Sequence, residues 1–347
     1  MYDLSQVKVS NSPHIRSEDS TRQIMLDVII ALIPALALAI FVFGARALVV
    51  TAVSVIGSVF FEWLYNKLLK KPCTIGNLSA VVTGILLAYT LPVTAPLWMV
   101  LIGDLFAIVI VKSLFGGIGK NFMNPALGGR AFLMASYPVF MTTWCKVRTS
   151  LPLFGTPADV VTGATPLSFM KEGKLPDVSM ADAALGMIGG CIGEVSALAL
   201  LVGGAYLIYR KVIGWQIPVA YIGTVAVLTF LFPMGNDRIA WMAAHLFGGG
   251  LMLGAIFMAT DYATSPVTKP GQLIFGFGWA RPVPINPRYF KNPKREHLLS
   301  EPAAMLLGIL RTYAQQDQKS LADLTCNCVI YAAGSFGYSL NYKFHMI

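Results

Sequence analysis

Residues 159–165 read Asp159-Val160-Val161-Thr162-Gly163-Ala164-Thr165, and Pro166 follows. Gly163 and Pro166 are turn formers, so this segment is expected to be an exposed, irregular loop that presents the Thr165 hydroxyl. A threonine hydroxyl is a weak nucleophile unless a base or another enzyme activates it. Its expected chemistry is that of an acceptor, onto which a separate enzyme transfers a group at an accessible loop. The plain alternative is an ordinary polar turn.

A second set of chemically capable residues lies inside apolar stretches: Glu62, Asp104, Arg130, Glu194 and His245. A charge at membrane depth costs roughly 2.5–3.5 kcal/mol on insertion scales, so each needs a partner, water or a function. Asp104 and Glu194 are the candidates for an ion path. Asp104 and Arg130 fall in neighbouring spans and are expected to be able to pair. Glu194 is expected on a glycine-lined helix that includes residues 186–193. Glu62 lies near the inner end of its span, and His245, one turn from Trp241, reads as a satisfied core residue. The bland reading of the whole set is structural pairing, or proximity to the interface. No metal site is expected: none of the cysteines forms a CxxC pair, and Cys326-Asn327-Cys328 is too tight for zinc or iron–sulfur ligation.

The elements that must position these residues are membrane spans. Of 347 residues, 56% are hydrophobic and only 12% charged, against about 25% charged in soluble domains. Eight spans are expected, at 24–43, 47–65, 78–91, 97–114, 125–144, 183–209, 212–232 and 239–260, apolar on all faces. The fold class is therefore an all-α polytopic membrane protein, a helical bundle. The net charge of +9 is no sign of nucleic-acid binding, because the basic residues sit in short loops between spans. Lys8, Arg16 and Arg22 precede the first span; Lys67, Lys70, Lys71, Lys112, Lys120, Arg210 and Lys211 follow the second, fourth and sixth. The positive-inside rule makes these ends, and the N-terminus, cytoplasmic. The loop at 145–182 then faces outward, although its own Lys146, Arg148, Lys171 and Lys174 pull the other way.

Two spans look interrupted. The third is short and ends at Pro92, and the eighth contains Gly248-Gly249-Gly250. Such breaks in corresponding positions of two halves mark broken helices in an inverted repeat; ordinary helices with small packing residues are the alternative.

The motif Asp159-x-x-Thr162-Gly163-Ala164-Thr165 resembles the flavinylation motif of bacterial membrane redox subunits. So do longer stretches resemble one family: Val9-Ser-Asn-Ser-Pro-His-Ile-Arg16, Gly116-Gly117-Ile-Gly-Lys-Asn121-Phe-Met-Asn124-Pro125-Ala126-Leu-Gly-Gly-Arg130 and Thr260-Asp261-Tyr-Ala-Thr-Ser265-Pro266 are similar to the D-type subunit of the Rnf complex. The resemblance covers about residues 1–277. It implies a subunit of the bacterial inner membrane that carries FMN on Thr165 through a phosphoester, placed there by a flavin transferase. It also implies partners in the other membrane and iron–sulfur or flavin subunits, and coupling of ferredoxin/NAD electron transfer to movement of sodium ions or protons. NAD and ferredoxin would bind elsewhere in the complex. Asn124 and Arg130 are candidates to surround a second, non-covalent flavin, riboflavin or FMN. The B-type subunit of the sodium-pumping NADH:quinone reductase shares the motif and ranks second; a transporter without redox chemistry is the rival of another class.

The expected organisation is a cytoplasmic segment at 1–23, a transmembrane bundle at 24–277 with its outer flavin loop at 145–182, and an atypical polar tail at 278–347. In that tail the Arg-x-x-Gly-Gly-Tyr-Pro-Glu-Gly stretch and the Leu-Met-Asn segment of the family are replaced by Trp279-Ala-Arg-Pro-Val-Pro and a basic run. The tail is expected to be non-native, the product of a shifted reading frame.

Overall fold

The computed structural model describes residues 20–121, 123–145, 147, 152–153, 180–186, 188–194, 196–233 and 237–279. Among them the chain is helical, and the one β contact is an isolated antiparallel bridge between Pro92 and Cys191. The tail and the loop motif fall outside the described residues, apart from the last turn of one helix that reaches Trp279.

Local sequence explains where helices begin. Helix α1 (Thr21–Phe43) starts at a capping box: Ser20 Oγ accepts from the Gln23 amide, and the Gln23 side chain accepts from the Ser20 amide. Gly44, at φ 75°, turns the chain directly into α2 (Ala45–Leu68). Helix α3 (Ser79–Tyr89) is only 11 residues long and stops before the turn at Pro92. Helix α4 (Leu97–Leu105) continues without a break into a π-helical segment, Phe106–Ser113. Asn124 caps α5 (Pro125–Ser136), with Pro125 at the first helical position. Pro138 then separates it from the single turn α6 (Pro138–Met141).

The second half follows the same logic. After α7 (Met180–Leu185), α8 (Ala197–Tyr209) starts at Ser196, whose Oγ accepts from the Ala199 amide. Helix α9 (Gln216–Leu231) comes next. Asp237 caps α10 (Arg238–Phe247), and α11 (Leu251–Leu253) runs into a second π segment, Gly254–Met258. The last described helix is α12 (Lys269–Trp279).

Both expected interruptions are present. The third span ends after α3, and the eighth is bent by 61° between α10 and the segment that begins at Leu251. By length and composition α1 and α2 each suffice to cross a membrane, and the bent pair makes a third; α3, α8 and α9 are shorter apolar helices. Two expected spans are not continuous helices: the fifth, 125–144, is broken at Tyr137 between α5 and α6. The sixth span is not a continuous helix from 183 to 209: between α7 and α8 the only helical turn among the described residues is the 3₁₀ segment Ile192–Glu194. Gly186, Gly189, Gly190 and Gly193 crowd that stretch, and Gly186 has φ 92°, so helix is disfavoured at four nearby positions.

The bundle is apolar outside and selectively polar inside. Ile33, Phe41, Ile56 and Val202 are exposed at 54–68%, while Arg46, Ser54, Ser58 and Asp104 are at most 1% exposed. That inversion of soluble-protein layering is what a hydrocarbon solvent demands. Aromatic residues mark the two ends. Trp98 meets the Tyr137 and Phe140 rings edge-on at 5.3 and 6.1 Å; toward the far end of α2, Lys67 lies over Trp63 and Lys71 over Tyr65. Trp and Tyr favour the membrane–water boundary. Helix α2 is the hub, packing on α1, α3 and α4, and α1 also lies along α8.

Candidate functional site

Asp159, Thr162, Gly163, Ala164 and Thr165 lie outside the described residues, but the stem of their loop does not. Arg46, 1% exposed at the start of α2, donates from Nε to Val93 O at 2.8 Å, from one terminal nitrogen to Ala95 O at 3.2 Å and from the other to Pro152 O. A planar guanidinium is suited to satisfy three carbonyls that a helix-breaking turn leaves open. Arg46 thereby fastens the base of the loop to the turn that breaks the third span.

Asp104 sits about halfway along the fourth span and is fully buried. It does not pair with Arg130 as expected. Its Oδ1 accepts from Ser54 Oγ at 2.7 Å and from Ser58 Oγ at 2.9 Å, and its Oδ2 is buried with no hydrogen-bond partner. Two glycines allow the approach. A Cβ on Gly57 would stand 2.8 Å from Asp104 Oδ2, and one on Gly84 would stand 2.9 Å from Ser54 O. Because Gly84 lets α3 touch α2, Ser54 Oγ also reaches Gly84 O at 2.8 Å.

Ser54 and Ser58 belong to a longer feature. Ser54, Ser58, Glu62 and Asn66 recur every four residues on α2, and all four are buried, so they form one polar stripe on the face toward α3 and α4. Lys112 meets the stripe at Glu62. It donates to Glu62 Oε2 at 3.1 Å and to Ser79 Oγ at 2.7 Å. Ser79 in turn donates to Asn77 Oδ1, while Thr74 donates to Glu62 Oε1 and accepts from Asn66. This overturns the placement of Lys112 in a cytoplasmic loop, because it lies on the π segment and is 3% exposed. In a regular α-helix residues eight apart are rotated by about 80°; the wider π winding removes much of that offset and brings Lys112 toward the face that carries Asp104. The sequence signal for the stripe was the four-residue spacing of small polar residues in an apolar run, which averaged hydropathy conceals.

Glu194 is not on a helix wall but in the unwound stretch before α8. Its Oε2 accepts from the Cys191 amide at 3.3 Å, and its carboxylate lies against Gly190 and Gly250. Ile192 N donates to Leu91 O at 3.0 Å, so the breaks before α4 and before α8 meet there, with the Gly248–Gly250 bend beside them. Arg130 lies on α5 and is half-buried. His245 is 6% exposed, with Nδ1 3.0 Å from Trp241 O, a core residue as expected.

Asn124 caps α5, on which Arg130 also lies. Asn124 Oδ1 accepts from the Ala126 and Leu127 amides, and the Asn121 side chain donates to Met123 O, so both amides serve the local backbone. A cavity of about 100 Å³ lies beside them, lined also by Ser79, Lys112, Thr260 and Asp261 but not by Arg130. Ligand pockets run to about 300–1,000 Å³, so this one does not admit a flavin ring as it stands. Among the described residues no group of His, Cys, Asp and Glu has the makings of a metal centre.

The model of the NQR2, RnfD, RnfE family matches residues 8–283. The chain is similar to the D-type subunit of the Na(+)-translocating ferredoxin:NAD(+) oxidoreductase complex of Acetobacterium woodii, 53% identical over 273 residues, or 78% of this chain and 81% of that one. It is also similar to the D-type subunit of the proton-translocating ferredoxin:NAD(+) oxidoreductase complex of Clostridium ljungdahlii, 44% identical over 281 residues (78% and 83%). The D-type subunit of the ion-translocating oxidoreductase complex of Actinobacillus succinogenes is 34% identical over 302 residues (78% and 85%).

Proposed function

Because this chain belongs to the NQR2, RnfD, RnfE family, we propose that it works as the D-type membrane subunit of an ion-translocating ferredoxin:NAD oxidoreductase and carries FMN on Thr165. The carrying observation is the match over most of the chain to subunits so named in three organisms. The covalent flavin is supported by the seven-residue motif ending at Thr165, whose neighbours Gly163 and Pro166 are the residue types expected of an exposed turn. FMN would supply the electron-carrying chemistry, and the chain its position and electrostatics.

The Arg46 clamp gives the loop a fixed base. One end of the stem, Pro152, hangs from the same guanidinium as the turn at Val93 and Ala95. Lys67 in the last turn of α2, with Lys70 and Lys71 just after it, supports a cytoplasmic position for that end and an outer one for the loop. The ion path runs by Asp104, with Glu194 at the crossing of the breaks. Sites at breaks near mid-membrane are characteristic of ion-coupled transporters. A second, non-covalent flavin beside Asn121 and Asn124 requires the cavity there to widen.

The test is made in membranes that contain the whole complex. Ferredoxin-driven NAD reduction should disappear when this chain is deleted, return with the wild-type chain, and fail to return with Thr165→Ala. Full activity of the Thr165→Ala complex would rule out a role for flavin at this position. Unchanged activity without the chain would remove the subunit reading altogether.

A further inference from the structure

The Asp104 cluster has more acceptor oxygens than hydrogens to share among them. Asp104 Oδ1 and Gly84 O converge on the hydroxyls of Ser54 and Ser58, and a hydroxyl has one hydrogen to donate. Ser54 Oγ faces two acceptors, Gly84 O at 2.8 Å and Asp104 Oδ1 at 2.7 Å. Oδ2, aimed at Gly57, has no partner at all. An ionised carboxylate so placed in hydrocarbon is expensive unless a positive charge completes it.

Among the described residues no side chain completes it. The buried charged groups on the packed elements are Arg46 and Glu62 on α2 and Lys112 on the π segment, with the half-buried Arg130 on α5. Arg46 is taken up by the carbonyls at the head of α2. Lys112 lies against Glu62, one cation against one anion, and the Asp104 oxygens bond to neither Lys112 nor Arg130. With Asp104 ionised, what remains is a cluster of net charge −1 made of carboxylate, hydroxyl and carbonyl oxygens. Those are hard donors. A monovalent cation would neutralise the cluster, whereas a divalent one would leave an uncompensated charge in the low-dielectric interior. The donors come from α2, α4 and the short helix α3, near mid-membrane beside an interrupted span.

We infer that Asp104, Ser54, Ser58 and the Gly84 carbonyl form a binding site for one desolvated sodium ion, closed on its fourth side by the bare backbone of Gly57. The site rests on the ion-translocating function proposed above and gives it a location. Sodium held there bridges α2, α3 and α4, so any movement of α4 against α2 changes its affinity. That is the property a coupled site needs, since an ion drives only a change that alters its own binding.

The test uses the purified whole complex, exchanged into sodium-free choline buffer and titrated with radioactive sodium. The Asp104→Asn complex should bind one sodium ion fewer than wild type. Ser58→Ala should bind that ion about tenfold more weakly, and Gly57→Ala, whose methyl would stand 2.8 Å from Oδ2, should exclude it. If Asp104→Asn does not assemble, the two milder variants decide. The inference is overturned if assembled variants bind as much sodium at the same affinity as wild type, or if the wild-type site takes up no sodium, as a carboxyl that carries only a proton would not. Ferredoxin-driven NAD reduction in the same wild-type preparation tests the function separately. Activity with an unchanged sodium count rejects the site and keeps the function.

Discussion

Lys112 Nζ lies 3.1 Å from Glu62 Oε2, and the two side chains are each 4% exposed. Removing one partner of a buried pair strands the other, at about 3–5 kcal/mol, whereas replacing both with apolar residues is often neutral. Lys112→Met or Glu62→Leu alone should therefore lower the melting temperature of the detergent-purified chain sharply. The double variant should melt higher than either single one. Additive losses in that cycle would show that the two residues do not depend on each other.

Arg46 gives a prediction about geometry rather than charge. Its three carbonyl partners lie in different directions around one planar group, and hydrogen bonds to a charged donor contribute about 1.5–3 kcal/mol each. Arg46→Lys keeps the charge but replaces the rigid fork with a single ammonium. It should lose a large part of the thermal stability that Arg46→Met loses. A lysine variant as stable as wild type would mean that charge alone holds the turn.

Two glycines in the second half should behave oppositely. A Cβ at Gly203 would overlap the Ala31 carbonyl oxygen, so Gly203→Ala must push α8 away from α1. A Cβ at Gly223 meets nothing within 4 Å, and alanine there gains up to about 1 kcal/mol of helix propensity. Thermal melts should show Gly203→Ala strongly destabilised and Gly223→Ala unchanged or slightly stabilised.

Much of this architecture was legible in the residues. Long apolar runs gave α1 and α2, and Pro92 and Gly248–Gly250 gave the two breaks, because each acts on the backbone locally. Glu194 was misread because hydropathy counts glycine as compatible with a span, while four glycines within eight positions disfavour helix. Lys112 was misread because a lysine at the end of an apolar run looks like a loop residue until the π segment turns it inward. The stripe from Ser54 to Asn66 and the anchoring role of Arg46 were missed for a related reason. Averaging over all faces of a helix hides a polar face one residue wide, and the partners of Arg46 are backbone carbonyls of distant segments. The expected Asp104–Arg130 pair failed because adjacent spans do not fix which faces meet. The flavin loop was read from its chemistry and its motif alone.

The most direct test of the central claim is to express the chain with a flavin transferase, run it on a denaturing gel and look for flavin fluorescence in its band, with Thr165→Ala alongside. Fluorescence that survives denaturation in wild type and is absent from Thr165→Ala is the predicted result. A dark wild-type band, with the transferase shown to be active on another substrate, would contradict a covalent flavin on this subunit.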